Sequence, residues 1–290
     1  LGTVKHKQLI QIKDERLDIE HIDQCLLSFF IGEKECQVTI FDKQKQQLLL
    51  FENYVIDSNP IDFLNKLHHD HELVPAGFWQ TIHVHIRNNQ FCLVPSFLFD
   101  EESAYNYIRL NTESNPETDN YGIRQHKPLA ATYVFGYLAA IEEWFFEKYK
   151  KANINIFHEG STFLHSIQDQ LLKVAKPAIY LNCTSSTLML AGFSGEKLMI
   201  YNQFNAIDLR QLPKMILMSI QQFSQEGQDT PIFLWGVDDQ IKNLKPLLQK
   251  YFKNLSDGKR PNCIKMNYLF DEIELYEYIE VFGSLTSSDN

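Results

Sequence analysis

Three strand-like runs followed by a capped helix occur twice in this chain of 290 residues. The first set, closed by Ile56, reads LLSFFI, CQVTIFD and QLLLFENYVI, and Asn59-Pro60 then opens a helix. The second set, Ile179–Ile207, reads IYLNC, STLMLAGF and KLMIYNQF, and Asp208 opens the helix. Short apolar runs bounded by turn residues predict strands rather than helices. In the third strand of each set, Leu48, Leu50, Phe51 and Tyr54 correspond to Leu198, Ile200, Tyr201 and Phe204. The hairpin before it spans Lys43–Gln47 in one copy and the tighter Ser194-Gly195-Glu196 in the other, where Gly195 supplies a positive φ. Asn59 with Pro60 in the first helical position is a helix-start signal. So is Asp208 with Gln211 three residues on.

The correspondence continues along the chain. Thr81–Ile86 and Pro231–Trp235 read as fourth strands, and Leu138–Tyr149 and Asp238–Phe252 as the helices after them. Asn153–Phe157 and Cys263–Tyr268 read as fifth strands, and Ser161–Val174 and Asp271–Phe282 as closing helices. This predicts an α/β fold with the order βββαβαβα written twice, two lobes around a cleft. The lobes span residues 20–175 and 176–284. The excess length of the first falls around 88–137 and reads as one inserted subdomain, with a strand-like CLVP and a helix capped by Asp100. Lys176-Pro177 is too short a junction to be a flexible tether.

Bulk properties exclude several classes of function. The chain is 44% apolar and 13% aromatic, enough for substantial cores, and its net charge is −10 with no basic stripe. Phosphate backbones need concentrated positive charge, so nucleic acid is excluded as the main partner. Five scattered cysteines form no CxxC or Cys/His spacing and read as reduced thiols. The uncharged run Pro128–Ile141 is too short to span a bilayer. A soluble, cytoplasmic protein with no membrane partner is the expectation.

The duplicated unit resembles the actin, sugar-kinase and heat-shock-chaperone ATPase superfamily, whose core is related to ribonuclease H. The segments LVPSFLFDEESAYNYIRLN (Leu93–Asn111), NIFHEGS (Asn155–Ser161) and KLMIYNQF (Lys197–Phe204) are similar to an uncharacterised Bacteroidota family, domain of unknown function 3822. The resemblance implies an actin-like ATPase fold over nearly the whole chain, and no established activity.

Active members of that superfamily place an acidic, glycine-containing turn after the first strand of each half, to hold magnesium and cradle phosphate. Here the first turn keeps Gly32 and offers Lys34, but Phe29 and Phe30 stand where the acid belongs. In the second half Leu181, Asn182 and Cys183 replace the acidic-glycine element, leaving the hydroxyls of Thr184, Ser185, Ser186 and Thr187. The adenosine-side glycine pair is reduced to Gly236. Gly32, Lys34, Thr184, Ser185 and Gly236 are therefore the candidate residues of a vestigial nucleotide cleft, with no catalytic residue among them. The expected function is a non-catalytic scaffold or adaptor that binds another protein and needs no cofactor. The alternative is an ATP-binding phosphotransferase or ATPase that uses ATP and magnesium in an unorthodox cleft. Two-metal nuclease chemistry fails on the same ground, because strand one carries no carboxylate.

Three further clusters have bland and chemical readings. His83 and His85 share one face of a strand; with His158 they are a possible metal set, and otherwise hydrogen-bonded core residues. His68, His69, Asp70 and His71 read as a solvated helix end. In DEIELYEYIEVF, Ile273, Tyr276 and Ile279 line one helical face and Glu272, Glu274, Glu277 and Glu280 the rest. That stripe either packs across onto the other lobe or receives a partner.

Overall fold

A computed structural model describes residues 8–110, 112–168, 176–184, 187–205 and 210–285. The chain begins with β1 (Gln8–Lys13), β2 (Cys25–Ile31), β3 (Glu35–Asp42), β4 (Gln47–Val55), α1 (Pro60–Asp70) and β5 (Thr81–Ile86). Next come β6 (Phe91–Pro95), α2 (Ala104–Arg109), β7 (Asp119–His126) and β8 (Ala131–Leu138). The first half closes with α3 (Ala139–Lys148), β9 (Asn153–His158) and α4 (Glu159–Ser166). The second half holds β10 (Ala178–Cys183), β11 (Thr187–Ser194), β12 (Lys197–Asn205), α5 (Leu212–Ile220), β13 (Ile232–Gly236), α6 (Asp238–Leu248), β14 (Leu255–Asp257) and α7 (Ile279–Ser284).

The strands form a six-stranded sheet in the order β1-β4-β3-β2-β5-β9 and a five-stranded sheet in the order β12-β11-β10-β13-β14. Leaving aside β1, the two orders are the same. So are the directions: the first three strands of each set run antiparallel, and the first, fourth and fifth run parallel. Even a register irregularity recurs. It falls between Ile40 and Phe41 in the first sheet and between Gly192 and Phe193 in the second. In both cases the partner strand skips one residue, Leu49 or Met199, so Leu48 and Leu50 align with Leu198 and Ile200 as the sequence pattern has it.

Central strand β2 is buried on both faces, which explains its unbroken apolar run. Its alternation sends Phe29 to one side, edge-on to Phe145 at 5.0 Å, and Phe30 to the other, stacked on His85 at 4.0 Å. Between β5 and α3, residues 91–138 form a three-stranded sheet of their own, in the order β6-β8-β7.

Several elements depart from the sequence reading. β1 was not anticipated; Ile10 and Ile12 alternate with polar residues and lie along the outer edge of β4. The fifth strand of the second sheet is β14, not Cys263–Tyr268. Three residues, two of them polar and exposed, give β14 no readable periodicity. Residues 264–285 instead cross to the first sheet. Lys265 bridges to the start of β4, and Ile264, Phe270, Ile273, Val281 and Phe282 bury against Leu26, Phe30 and Phe51. Each such side chain contributes roughly 1.5–3 kcal/mol of apolar transfer, so this segment fastens the second half to the first.

The closing helix is also shorter than expected. A 3-10 turn covers Tyr268–Glu272, Tyr278 takes a left-handed φ of 54°, and α7 starts only afterwards. The break shifts the helical phase, and Glu280, placed by periodicity on the acidic outer face, is buried. His71 is not a solvated helix end either. Its Nε2 lies 2.8 Å from the buried Glu52 carboxylate, and its Nδ1 accepts the Leu73 and Val74 amides. The Asp208 cap lies outside the described residues; α5 has Pro213 in its first turn.

Candidate functional site

Parallel strands β5 and β9 end side by side, and each is followed at once by a charged residue. Arg87 leaves β5, and Glu159 is the first residue of α4, after β9. In open parallel sheets the carboxyl ends of the strands are where ligands bind. α7 brings a third charge, Glu280, to the same point. The Arg87 Nη2 donates to Glu280 Oε1 at 2.7 Å, and its Nε lies 3.1 Å from Glu159 Oε2, an ion pair without hydrogen-bond alignment. Arg87 Nη1 donates to the side-chain amide oxygen Oε1 of Gln37. The three charged side chains are 6%, 0% and 2% exposed.

The second half supplies the remaining partners. Asn182 on β10 donates to Glu280 Oε2 at 2.8 Å, and Gln203 on β12 donates to Glu159 Oε1 at 2.9 Å. The Arg87 fork therefore ties strand ends of the first sheet to a helix and two strands from the other half. Both carboxylates share one guanidinium, so full ionisation leaves a buried surplus of negative charge. Burial, and then the nearby Glu280 charge, push the Glu159 carboxyl up to about 7 against the pull of Arg87. Arg87 stays above its ordinary value because the two carboxylates outweigh its burial.

The clamp leaves little room. A cavity of about 10 Å³ remains among Arg87, Glu280, Glu35, Asn182, Thr184 and Gly236. That is the size of one water, whereas small-molecule sites run to roughly 300–1,000 Å³. Among the described residues, the point where the halves meet at Arg87 is occupied by ionic side chains; Phe29 and Phe30 are core residues on opposite faces of the sheet.

The residues expected to line a vestigial nucleotide cleft are only partly brought together. Thr184 and Gly236 line the small cavity, and Gly32 packs against the Arg87 stem. Lys34 is exposed, and its backbone carbonyl accepts the Ile56 amide. Ser185 lies outside the described residues. The Thr184 hydroxyl is spent on its own turn: it accepts the Thr187 amide at 3.1 Å and sits 2.8 Å from the Thr187 hydroxyl. Sequence reasoning missed Arg87, Glu159, Glu280 and Gln203. The readable signal was a charge directly after each of two strand-like runs, in HIRNN and IFHEG.

Gly236 has a physical reason to be glycine. Its φ is 147°, and a Cβ would run into the Cys183 carbonyl on neighbouring β10. Gly236→Ala is expected to cost at least about 2 kcal/mol, read as a lowered urea midpoint. A midpoint unchanged within error would show that the strand ends are not packed this closely.

His83 and His85 are both buried, and His85 stacks between Phe30 and Phe157. His158 does not join them. Its Nδ1 accepts the Gly160 amide and lies 3.0 Å from the Tyr133 hydroxyl, and its Nε2 faces the Asn88 carbonyl at 3.0 Å. Among the described residues, no group of three or more His, Cys, Asp or Glu side chains is placed to hold a metal ion.

Comparison with known proteins agrees with this architecture. Residues 14–255 match the model of a family described as protein of unknown function (DUF3822). A crystal structure from Bacteroides thetaiotaomicron, a protein with actin-like ATPase fold and unknown function, is similar with a TM-score of 0.78 at 14% identity, covering 94% of this chain and 99% of that one. The PilM-PilN type IV pilus biogenesis complex is similar with a TM-score of 0.62 at 10% identity, covering 90% and 97%. No curated protein matches. At these identities the likeness establishes the fold, an α/β actin-like ATPase fold.

Proposed function

Starting from the premise that this chain belongs to the DUF3822 family, we propose that it is a non-catalytic actin-like protein, a scaffold or adaptor whose nucleotide cleft has been converted into an internal clamp. The observation that carries the reading is the buried Arg87–Glu159–Glu280 cluster. Magnesium-nucleotide chemistry needs free carboxylates to hold the metal and open backbone donors to cradle phosphate. Here both buried carboxylates are engaged by Arg87, and a triphosphate would meet Glu159, Glu280 and Glu35. The common strand order and the repeated register shift support one module copied and fused, its metal-holding acids lost from the strand ends.

A protein partner fits the surface. The inserted subdomain exposes Phe97, Leu98 and Leu110, by 85%, 61% and 80%, and exposed apolar side chains of this size on one subdomain favour docking of another protein. A similar fold occurs in the PilM–PilN complex, so it has precedent as a component of a protein assembly. Among the described residues no helix is long and apolar enough to cross a membrane.

Calorimetry with MgATP tests the reading. No heat of binding is expected up to millimolar nucleotide. Micromolar binding would overturn it and restore the phosphotransferase or ATPase alternative.

A further inference from the structure

The exposed apolar side chains of the insertion are held out by the local fold. Pro95 ends β6, and the Ser96 amide donates to the Ala130 carbonyl at 2.9 Å, where a single 3-10 turn begins over Ser96–Leu98. Phe99 then turns inward and packs on the core formed by Val94, Ile108 and Val134, its ring 5.9 Å from that of Tyr107. With both ends of so short a turn fixed, Phe97 and Leu98 face solvent. The Tyr107 hydroxyl ties the turn to α2: it donates to the Leu98 carbonyl at 3.1 Å and accepts the Asp100 amide at 3.2 Å. Three residues beyond Tyr107, the helix cap Leu110 is exposed as well. Apolar side chains carried on a pinned turn and a helix end have little backbone freedom left to lose when a partner covers them.

Charge narrows what can cover them. Asp100, Glu101 and Glu102 follow the turn directly, all exposed. The Asp100 carboxylate accepts the Glu102 amide and the Ser103 hydroxyl, which keeps it at the turn. Among the described residues, neither Asp100 nor Glu102 is ion-paired with a basic side chain. The whole insertion, residues 91–138, carries six carboxylates against Arg109, Arg124 and Lys127. A second copy would set this acidic turn against itself, and an anionic lipid surface would be repelled. A cationic protein surface gains from both the apolar contact and the charge.

We propose that Phe97, Leu98 and Leu110 receive a basic amphipathic helix of a protein partner, its apolar stripe on these side chains and its Lys or Arg residues against Asp100 and Glu102. The proposal rests on the reading of the insertion as the docking surface and names the chemistry of what docks there. An amphipathic helix carries an apolar stripe and cationic side chains on adjoining faces, which is the complement of an apolar turn followed at once by acids.

The probe is a labelled peptide of about 14 residues with Leu and Lys at helical spacing, and its control carries Glu for Lys. Fluorescence anisotropy on the full chain should show micromolar binding of the Lys peptide and none of the Glu peptide. Phe97→Ser with Leu98→Ser should weaken that binding by at least about tenfold. Asp100→Asn with Glu102→Gln should weaken it by about two- to fivefold, a difference that vanishes in about 0.5 M salt. All four positions are exposed, and Asn keeps the capping acceptor, so these variants retain the fold. A Lys peptide that binds the Phe97 and Leu98 variant as tightly as the wild type is held elsewhere by the net charge of −10, and that result overturns the proposal, as does no binding at all. Binding of the Glu peptide through Phe97 and Leu98 would overturn the partner's chemistry and leave the docking surface standing. Dimerisation lost in the Phe97 and Leu98 variant, or binding to phosphatidylserine vesicles through these residues, would overturn it in favour of a second copy or a membrane. Calorimetry with MgATP bears on the clamp alone, so the two readings fail separately.

Discussion

Replacing Arg87 by Met is expected to cost about 3–5 kcal/mol, the range for stranding a buried charge by removing its partner. Two carboxylates would be stranded here, Glu159 and Glu280, each almost fully buried. For a chain of this size, that loss corresponds to a melting temperature lower by on the order of 10 °C. Adding Glu159→Gln and Glu280→Gln to Arg87→Met should recover most of it, because the amides can still use Asn182 and Gln203 and no charge remains uncompensated. A buried ion cluster is often no more stabilising than its neutral replacement, so the triple variant separates the worth of the clamp from the penalty of breaking it. The single variant should also be less impaired at pH 5 than at pH 8, since Glu159, pushed up to about 7, is then protonated. Thermal denaturation of the wild type, the single variant and the triple variant checks all three expectations. A loss below about 1 kcal/mol for Arg87→Met would mean the halves are held by apolar packing alone and the cleft is not clamped.

The repeated strands were legible because each is an apolar run of ordinary length closed by a turn, and Leu48–Phe51 and Leu198–Tyr201 even carry the register irregularity in their spacing. Where reading failed, the competing cause is specific. β14 is too short to show alternation. In Cys263–Tyr268, the stretch mistaken for it, Ile264 and Met266 are apolar because they pack on the other sheet. Tyr278 interrupts the terminal helix with a left-handed backbone that no sequence period announces, and with it the orientation of Glu280 was lost.

The candidate site was legible in its absences more than in its contents. That the first strand of each half ends without an acid is plain from Phe29, Phe30 and Asn182. The clamp itself is not, because it is assembled from Arg87, Glu159, Asn182, Gln203 and Glu280, residues distant in sequence whose polar side chains look like ordinary surface groups until the halves close.

Acid should unfold this protein well above the pH at which most carboxylates titrate. His85, His126 and His158 are buried and neutral. Burial pushes His126 down to about 4 and His158 down to about 3, and it holds His85 well below its ordinary 6.5. The geometry agrees for His158, whose Nδ1 accepts the Gly160 amide and has no room for a proton. Between pH 6.5 and about 4 the unfolded chain binds a proton at each of these histidines and the native chain does not, so stability falls as pH falls. Three histidines lose about 4 kcal/mol per pH unit at about 1.4 kcal/mol each. Glu159 works the other way: its raised value adds stability that is complete below about 4.5 and fades as pH rises through about 7. The net loss is nearer about 2.7 kcal/mol per pH unit, or about 4 kcal/mol from pH 6.5 to pH 5, a large share of the roughly 5–15 kcal/mol typical of a folded domain. Urea unfolding at pH 7, 6 and 5 should therefore give a steadily lower midpoint with an unchanged slope. His158→Asn keeps a helix-capping acceptor and removes the titrating ring, and it should flatten the pH dependence by about one third of the histidine contribution. Stability that is level from pH 7 to pH 5 would mean that these imidazoles are already protonated or reached by water, and that the contacts joining the insertion to α4 are looser than the hydrogen bonds of His126 and His158 describe.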